Sequence, residues 1–336
     1  MAMRWNEVLR VALAVALAVA LAVALVSTAA STTASAQRGG PVDPPGVTRG
    51  AAQPNQNKWN AKGPWGKTER SAPMEAQKKA PFKLFDNVYY VGLQTVSAYL
   101  VTTSAGLVLI DTGYVQSVDW LLEGVRAVGF DPANIRYAFV THSHLDHAGG
   151  AAKVKQVSGA RVGLSAEDWV VVERQQADAR QRENFPPLAR DLVLKDAESI
   201  TVGDQTFKFY VTPGHTPGAT SVEFTARDGA RSYRVVVPGG LGLQYAAEFG
   251  PMFKSSITRL KGLGPWDVAL GNHPFLAPKD LAEIEGELKT RGQGPHPAVL
   301  GPARVDAFFA DILTIVDEKL IEEPPPAGRA PGAGPR

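Results

Sequence analysis

The run from Thr141 to Gly150, THSHLDHAGG, constrains this chain more than any other stretch. His142, His144 and His147 are three of the six histidines of the protein, and Asp146 lies among them. A solvated loop rarely uses histidine so densely, whereas neutral imidazoles and carboxylates are ligands that a zinc ion prefers. The sequence therefore predicts a metal site here.

The spacing within this run suggests two ions rather than one. His142 and His144 are two residues apart, so on an extended or turning backbone both can point toward the same ion. Asp146 and His147 follow a turn later and face elsewhere, which suggests a second ion. Residues 135–140 are an apolar run typical of a buried strand. The cluster is therefore expected on a loop at the carboxyl end of a strand, a usual place for a site in an α/β protein.

Two further histidines lie directly after predicted strands. His215 stands between prolines and glycines that fix the turn, and His273 lies in the run Gly-Asn-His-Pro. In a chain that already has the cluster at 142–147, both are expected to be ligands. His296, between two prolines, has no such setting and is expected to be structural.

Composition excludes several other kinds of site. The chain has 336 residues, of which 44% are hydrophobic and 20% charged, enough for one large or two small domains with a packed core. Its 35 basic and 33 acidic side chains leave a net charge of +2, so no nucleic-acid partner is expected. There is no cysteine, which excludes disulfides, cysteine nucleophiles and thiolate ligands together.

The amino-terminal 36 residues differ from the rest of the chain. A basic start, an apolar run at 11–26 and a small-residue exit at Ala34-Ser35-Ala36 predict a secretory signal peptide cleaved after Ala36. The apolar run is shorter than the roughly 20 residues that span a bilayer, so no stable membrane association is expected after cleavage. The mature protein is therefore expected to be periplasmic or secreted.

Three segments are predicted after the signal peptide. Residues 37–80 form an irregular arm whose only large anchors are Trp59 and Trp65, and these rings are expected to dock on the domain. Residues 81–321 form the folded domain, and the Pro/Gly-rich end at 322–336 is expected to be disordered.

The domain itself shows short strands and amphipathic helices. Strands are predicted at 87–91, 98–101, 107–110, 135–140, 161–164, 206–211, 220–224, 233–237 and 267–270, and helices at 118–128, 255–263, 278–290 and 303–320. Gly149 and Gly150 are expected to let the backbone pass close before a helix that ends near 157. Ser165 and Asp168 predict a capping box that opens another helix, and 175–190 is predicted as an exposed loop with broken helix. This pattern alone gives an α/β protein with several β-meanders.

The run from His142 to His147 resembles the H-x-H-x-D-H signature of the metallo-β-lactamase superfamily, with all four ligand positions filled at the right spacing. The resemblance covers about Pro81 to Leu320, most of the predicted mature chain. It implies the metallo-β-lactamase fold, an αββα sandwich of two mixed β-sheets with helices on the outer faces.

The same resemblance implies two zinc ions per chain. One is assigned to His142, His144 and His215, and the second to Asp146, His147 and His273. Three protein ligands per ion leave an open position for water or substrate, as in catalytic zinc sites. Family members of this type attack with a hydroxide between the two ions, which Asp146 is expected to orient as the catalytic carboxylate. Asp111 is expected to accept a hydrogen bond from a ligating histidine.

Residues 238–242 indicate the branch of the superfamily. After the strand that ends at Val237, cysteine marks two β-lactamase subclasses and a bridging aspartate marks glyoxalase II-like thioesterases, whereas this chain has Pro-Gly-Gly-Leu-Gly. The chain is most similar to the third subclass, whose ligands are all histidine and aspartate. Gly240 and Gly242 replace serines that help to bind the substrate carboxylate, so weak substrate affinity and a lower KM in Gly240→Ser are expected.

The expected function is that of an exported dizinc hydrolase that opens the amide bond of β-lactam antibiotics, a small-molecule substrate class. A lactonase or glyoxalase II-like thioesterase is the alternative within the superfamily, and a non-catalytic binding protein of the same fold is a remoter one. A serine hydrolase lacks support because there is no G-x-S-x-G elbow.

Overall fold

A computed structural model of the protein describes residues 73–242 and 249–325. The predicted signal peptide, Trp59 and Trp65 of the arm, and residues 326–336 of the predicted tail lie outside these ranges. Within them, no helix has the length and apolarity that crossing a bilayer requires.

The first sheet contains seven strands in the described part of the chain. They are β1 (Phe82–Phe85), β2 (Val88–Tyr90), β3 (Tyr99–Thr103), β4 (Gly106–Ile110), β5 (Ile135–Phe139), β6 (Arg161–Leu164) and β7 (Leu192–Val193). Strands β1 to β4 pair antiparallel and β4 to β7 pair parallel, so the sheet is mixed. The carboxyl ends of β4, β5 and β6 therefore lie at one edge.

The second sheet is mixed as well. Its strands are β8 (Ser199–Val202), β9 (Gln205–Val211), β10 (Thr220–Asp228), β11 (Arg231–Val237) and β12 (Val268–Ala269), in the spatial order β12-β11-β10-β9-β8. Strand β12 pairs parallel with β11, and the other pairs are antiparallel. Strands β9, β11 and β12 consequently run in the same direction and end at the same edge.

Most of the helices lie on the outer faces of the two sheets, and the helix at Leu281–Thr290 packs against the cluster between them. The helices are α1 (Val118–Ala127), α2 (Leu145–Ala148), α3 (Ala151–Ser158), α4 (Ala166–Ala177), α5 (Gly250–Gly262), α6 (Leu281–Thr290) and α7 (Pro302–Glu322). One apolar cluster joins the outer face of the first sheet to α1, α3 and α4, and another joins the second sheet to α5 and α7. A third cluster fills the space between the two sheets. The αββα sandwich predicted from the sequence is confirmed.

Strand β4 shows why a strand inside this sandwich is apolar at every position. Val108 and Ile110 face the cluster between the sheets, while Leu107 and Leu109 face the helices. Because neighbouring side chains of a strand point to opposite faces, a strand covered on both sides needs apolar residues at every position.

The segment at 175–190 differs from its prediction as an exposed loop. Helix α4 continues to Ala177, and the turns that follow bury Phe185 and Leu188 against the outer face of the first sheet. The many charged residues of this segment favoured the prediction of an exposed loop, although Phe185 and Leu188 pack into the core. Strands β1, β7 and β8 and the short helix α2 were not predicted either.

Candidate metal centre

The predicted ligands lie on loops that leave the two sheets at their carboxyl ends. His142 and His144 follow β5 in the first sheet, and His147 lies in α2 directly after them. His215 follows β9 and His273 follows β12, both in the second sheet. Each sheet thus contributes loops to one site, and the structure brings all the predicted ligands together.

His142, His144 and His215 form a compact triad. Their ring centroids are 4.6 to 4.8 Å apart, and one ligand atom from each residue lies within 4.8 Å of the others. Three imidazole nitrogens at this separation match the donor set of a catalytic zinc site.

Asp146, His147 and His273 form the second set. Nε2 of His147 is 3.4 Å from Nε2 of His273 and 3.4 Å from Oδ2 of Asp146, and Nε2 of His273 is 3.7 Å from the same carboxylate oxygen. Two tetrahedral ligands about 2.0–2.1 Å from a zinc ion are roughly 3.4 Å apart. The donor atoms of this set are therefore spaced for one ion.

The two sets adjoin each other. The rings of His142 and His147 have centroids 4.1 Å apart, and ligand atoms of His142, Asp146 and His147 also lie within 4.8 Å of one another. Asp146 and His147 therefore lie next to the triad, and a second ion held there stays a prediction.

Hydrogen bonds donated by Nδ1 orient three of the rings. Nδ1 of His147 is 2.8 Å from Oδ2 of Asp111, Nδ1 of His215 is 3.0 Å from the carbonyl oxygen of Gly242, and Nδ1 of His273 is 2.6 Å from that of Thr95. Because these oxygens can only accept, each Nδ1 carries a proton, which leaves Nε2 as the ring atom that could bind an ion.

His142 is held by a relay that ends at the same aspartate. The hydroxyl of Thr141 donates to Asp111, so its oxygen is left to accept from Nδ1 of His142 at 3.1 Å. Nε2 of His142 is buried and has no hydrogen-bond partner among the described residues. A buried nitrogen lone pair left unpaired costs free energy, and a metal ion would satisfy it. Together with the all-nitrogen and oxygen donor set, this atom fits zinc.

Asp111, directly after β4, anchors the loop that follows β5. Its backbone has φ of 62°, a left-handed conformation that is uncommon outside glycine. The carboxylate accepts from the backbone N–H and hydroxyl of Thr141 and from His147, at 2.7 to 2.9 Å. The structure therefore places Asp111 against a predicted ligand, as the sequence suggested.

Burial and neighbouring charges together lower the pKa of some groups in the site and raise that of His147. Burial lowers the pKa of His142 and His215, and the neighbouring histidines lower it further. Burial also opposes protonation of His147, but Asp146 and Asp111 outweigh it and raise the pKa to about 10. Burial would raise the pKa of Asp146, yet His147 and His273 hold it well below its usual value.

Gly240 and Gly242 are buried under the ring of His215. A Cβ atom at Gly240 would lie 2.5 Å from Cδ2 of His215, and one at Gly242 would lie 2.8 Å from Cε1. Gly240 also has φ of 141°, which side chains rarely adopt. The expected gain from Gly240→Ser is therefore wrong, because a serine there would displace His215 instead of reaching a substrate.

Sequence reasoning missed three residues that hold the ligands. The hydroxyl oxygen of Thr141 accepts from Nδ1 of His142, and the carbonyl oxygen of Thr95 accepts from Nδ1 of His273. Asp168 is fully buried and accepts hydrogen bonds from two of the three ligand-bearing segments, those after β5 and β9. Ser165 does cap α4 by accepting from the N–H of Asp168, but the carboxylate of Asp168 points to those loops instead of completing a capping box.

His296 lies away from this cluster. Its ring stacks on Phe85 with centroids 3.8 Å apart. Nε2 lies 2.7 Å from the carbonyl oxygen of Leu84, and Nδ1 accepts from the N–H of Ala298 at 3.1 Å. Both ring nitrogens are satisfied, so this histidine holds the fold together as expected.

The profile described as the Metallo-beta-lactamase superfamily matches residues 91–230, which include β3 to β10 and most of the ligand cluster. This chain carries a metallo-β-lactamase superfamily domain. Among solved structures, it resembles BJP-1, a subclass B3 metallo-β-lactamase of Bradyrhizobium japonicum, with a TM-score of 0.64 and 28% identity over 74% of this chain and 96% of that one. FEZ-1, the metallo-β-lactamase of Legionella gormanii, aligns with a TM-score of 0.67 and 25% identity over 75% of this chain and 99% of that one.

Curated relatives match shorter stretches of the metallo-β-lactamase domain. A hydroxyacylglutathione hydrolase of Pseudomonas paraeruginosa is 40% identical over 79 residues, 24% of either chain. An N-acyl homoserine lactonase of a Bacillus species is 27% identical over 157 residues, which is 57% of its length. The alignments span only about a quarter of the hydroxyacylglutathione hydrolases that match first.

Proposed function

We propose that this protein is a hydrolase with two zinc ions per chain that opens the amide bond of β-lactams. The observation that carries the proposal is the ligand set, five histidines and one aspartate gathered at one edge of both sheets. It agrees with the likeness to subclass B3 metallo-β-lactamases, which extends over nearly their whole length.

The two ligand sets would hold the ions separately. The triad of His142, His144 and His215 would bind one, and Asp146 with His147 and His273 would bind the other. Zinc bound there supplies Lewis acidity toward a carbonyl group and lowers the pKa of water toward neutrality.

Asp146 is the carboxylate best placed to act on a substrate or a water molecule. Its side chain is 19% exposed, whereas those of Asp111 and Asp168 are buried and fully used by hydrogen bonds from the protein. We therefore assign Asp146 the orienting role at the reaction and assign the other two carboxylates to the loops.

A lactonase or thioesterase is the second candidate, because N-acyl homoserine lactonase and hydroxyacylglutathione hydrolases are among the relatives. The segment after β11 argues against it. Residues 238–242 offer no carboxylate that could bridge two ions, and Gly240 and Gly242 bring the backbone against His215 instead.

The deciding experiment compares three substrates on zinc-loaded protein. Nitrocefin, an N-acyl homoserine lactone and a hydroxyacylglutathione thioester are assayed before and after chelation, with Asp146→Asn as the variant in the site. We expect kcat/KM to be highest for nitrocefin, to vanish with chelator and to return with zinc. Preference for the lactone or the thioester would favour the second candidate, and no turnover by protein with two bound zinc ions would favour a binding protein.

We further propose that the protein is exported and cleaved after Ala36, as its amino-terminal pattern suggests. Mass spectrometry of protein made in a bacterial host should find Gln37 at the amino terminus. An intact Met1 on membrane-bound protein would refute cleavage.

A further inference from the structure

Asp168 links the loops that carry the three-histidine set. It lies in the first turn of α4 and is fully buried. One carboxylate oxygen accepts from the backbone N–H of Ser143 at 2.8 Å and from the hydroxyl of Thr216 at 2.7 Å. The other accepts from the N–H of Gly218 at 2.9 Å.

The partners of this carboxylate include residues adjacent in sequence to all three ligands of the set. Ser143 is the residue between His142 and His144, and Thr216 follows His215. Gly218 brings the second loop against α4 so tightly that a Cβ there would lie 2.0 Å from the hydroxyl oxygen of Ser165. The two loops leave different sheets, and Asp168 contacts both.

The chemistry of Asp168 is unusual for a structural residue. Its hydrogen-bond partners are all uncharged, and it forms no ion pair in the described ranges. An unpaired buried carboxylate is costly, although the amino-terminal end of α4 favours negative charge. The two loops that Asp168 orders explain why a carboxylate is buried there despite the free-energy cost.

We propose that Asp168 is a positioning residue that holds His142, His144 and His215 in ligating geometry before a metal ion binds. The inference rests on the proposed zinc sites. His147 and His273 of the other set are oriented instead by Asp111 and by the carbonyl oxygen of Thr95. Loss of the Asp168 carboxylate should therefore weaken one zinc site and spare the other.

The test is a zinc titration of metal-free Asp168→Asn against a competing chelator. Asparagine keeps the shape but turns an NH2 group toward the N–H of Gly218 or Ser143, so one loop loses its acceptor. We expect affinity for one of the two ions to fall about 10- to 100-fold, the usual effect of removing a group that orients a metal ligand. The other should change less than about threefold. With Co2+ in place of Zn2+, only one set of absorption bands should change.

Asp191→Asn is the control for loss of a carboxylate elsewhere, although Asp191, unlike Asp168, is paired with Lys155. Asp191 also accepts from a backbone N–H, that of Val162 at 3.2 Å, but it joins β6 to the segment before β7 rather than to the ligand loops. This variant should bind both ions as the unmodified protein does. If Asp168→Asn does not fold, Thr216→Val removes a single hydrogen bond from the same carboxylate and should weaken the same site.

The outcomes separate this inference from the proposed function. Binding of two zinc ions by Asp168→Asn with unmodified affinities, or equal weakening of both sites, would overturn the positioning role. Failure of the unmodified protein to bind zinc in the same titration would overturn the proposed zinc sites. Because no substrate is present in the titration, the β-lactamase proposal is tested separately, by nitrocefin turnover.

Discussion

The ring of His215 packs on Gly240 and Gly242, and this contact makes position 240 intolerant of a side chain. We expect Gly240→Ser to weaken zinc binding by the three-histidine set at least about tenfold, since the added Cβ displaces a ligand and the left-handed backbone is strained. Zinc per chain measured after dialysis against low free zinc should fall from two toward one.

Gly229→Ser provides the control for backbone strain. Gly229 has φ of 58°, and a Cβ atom added there would have no neighbour within 4 Å, so serine adds strain without meeting another group. Its zinc content should stay at two. Equal zinc content in both variants would show that the ring of His215 adjusts to a side chain at position 240.

The buried carboxyl group of Asp168 should also make the free energy of unfolding depend on pH. Burial raises its pKa to about 6, despite the hydrogen bonds from Thr216, Gly218 and Ser143, which lower it. An aspartate in an unfolded chain has a pKa near 3.9. The folded protein holds this proton more tightly, so the stabilisation is fully present below about pH 4 and is lost as pH rises through about 6.

The comparison with Asp168→Asn isolates this effect. The free energy of unfolding of the metal-free unmodified protein should fall by roughly 2–3 kcal/mol relative to the variant between pH 4 and 7. Urea unfolding at several pH values in the presence of chelator measures it. A difference between the two proteins that does not change with pH would contradict the assignment.

The histidines and the aspartate of the cluster stand out in the sequence, but most of the groups that orient them do not. His142, His144, Asp146 and His147 stand at a spacing that marks a metal site on its own. The oxygens that fix His215 and His273 belong to the backbones of Gly242 and Thr95, and a carbonyl group is present at every position. Only the fold shows which carbonyl is near, so no side-chain pattern could identify it.

At the scale of elements, strands were predicted correctly where their burial requires a run of apolar residues in the sequence. Strand β4 is apolar from Leu107 to Ile110, β11 ends in the apolar residues Val235 to Val237, and both strands lie inside their sheets. Strand β8 lies at an edge with two exposed residues among its four, and β7 has only two residues. An edge strand is fixed by pairing with its neighbour, so its own sequence says little.

Helix α7 shows how an outer element is fixed to a sheet. Phe309, Ile312 and Val316 are fully buried in the cluster that includes α5 and the second sheet. We expect Ile312→Ala to lower the free energy of unfolding by about 2–5 kcal/mol through the cavity that it leaves. Asp311→Ala, at an exposed neighbouring position, should change it by less than about 0.5 kcal/mol.

Measuring the zinc content distinguishes a loss of stability in Ile312→Ala from damage to the metal centre. Chemical denaturation gives the unfolding free energies, and metal analysis of the folded proteins should find the same zinc per chain in both variants. A loss of zinc in Ile312→Ala would mean that α7 supports the ligand loops as well as the core.

At the scale of the whole molecule, the two ligand sets predict two zinc ions that can be removed separately. His273→Ala deletes one ligand of the second set and leaves the triad intact, so it should retain about one zinc per chain. His215→Ala should retain the other. Metal analysis measures both, and loss of both ions from either variant would show that the two sites cannot fill independently.

Each ligand set draws residues from both halves of the sandwich. The triad joins the loop after β5 to the loop after β9, and the second set joins the same first loop to the segment after β12. In a chain without cysteine, each ion would thus act as a removable cross-link that ties the sheets at one edge and closes long loops. Free zinc at a thousandfold above its Kd would add roughly 4 kcal/mol to the folded state. Zinc supply would then set how long the protein resists unfolding and proteolysis, apart from any substrate.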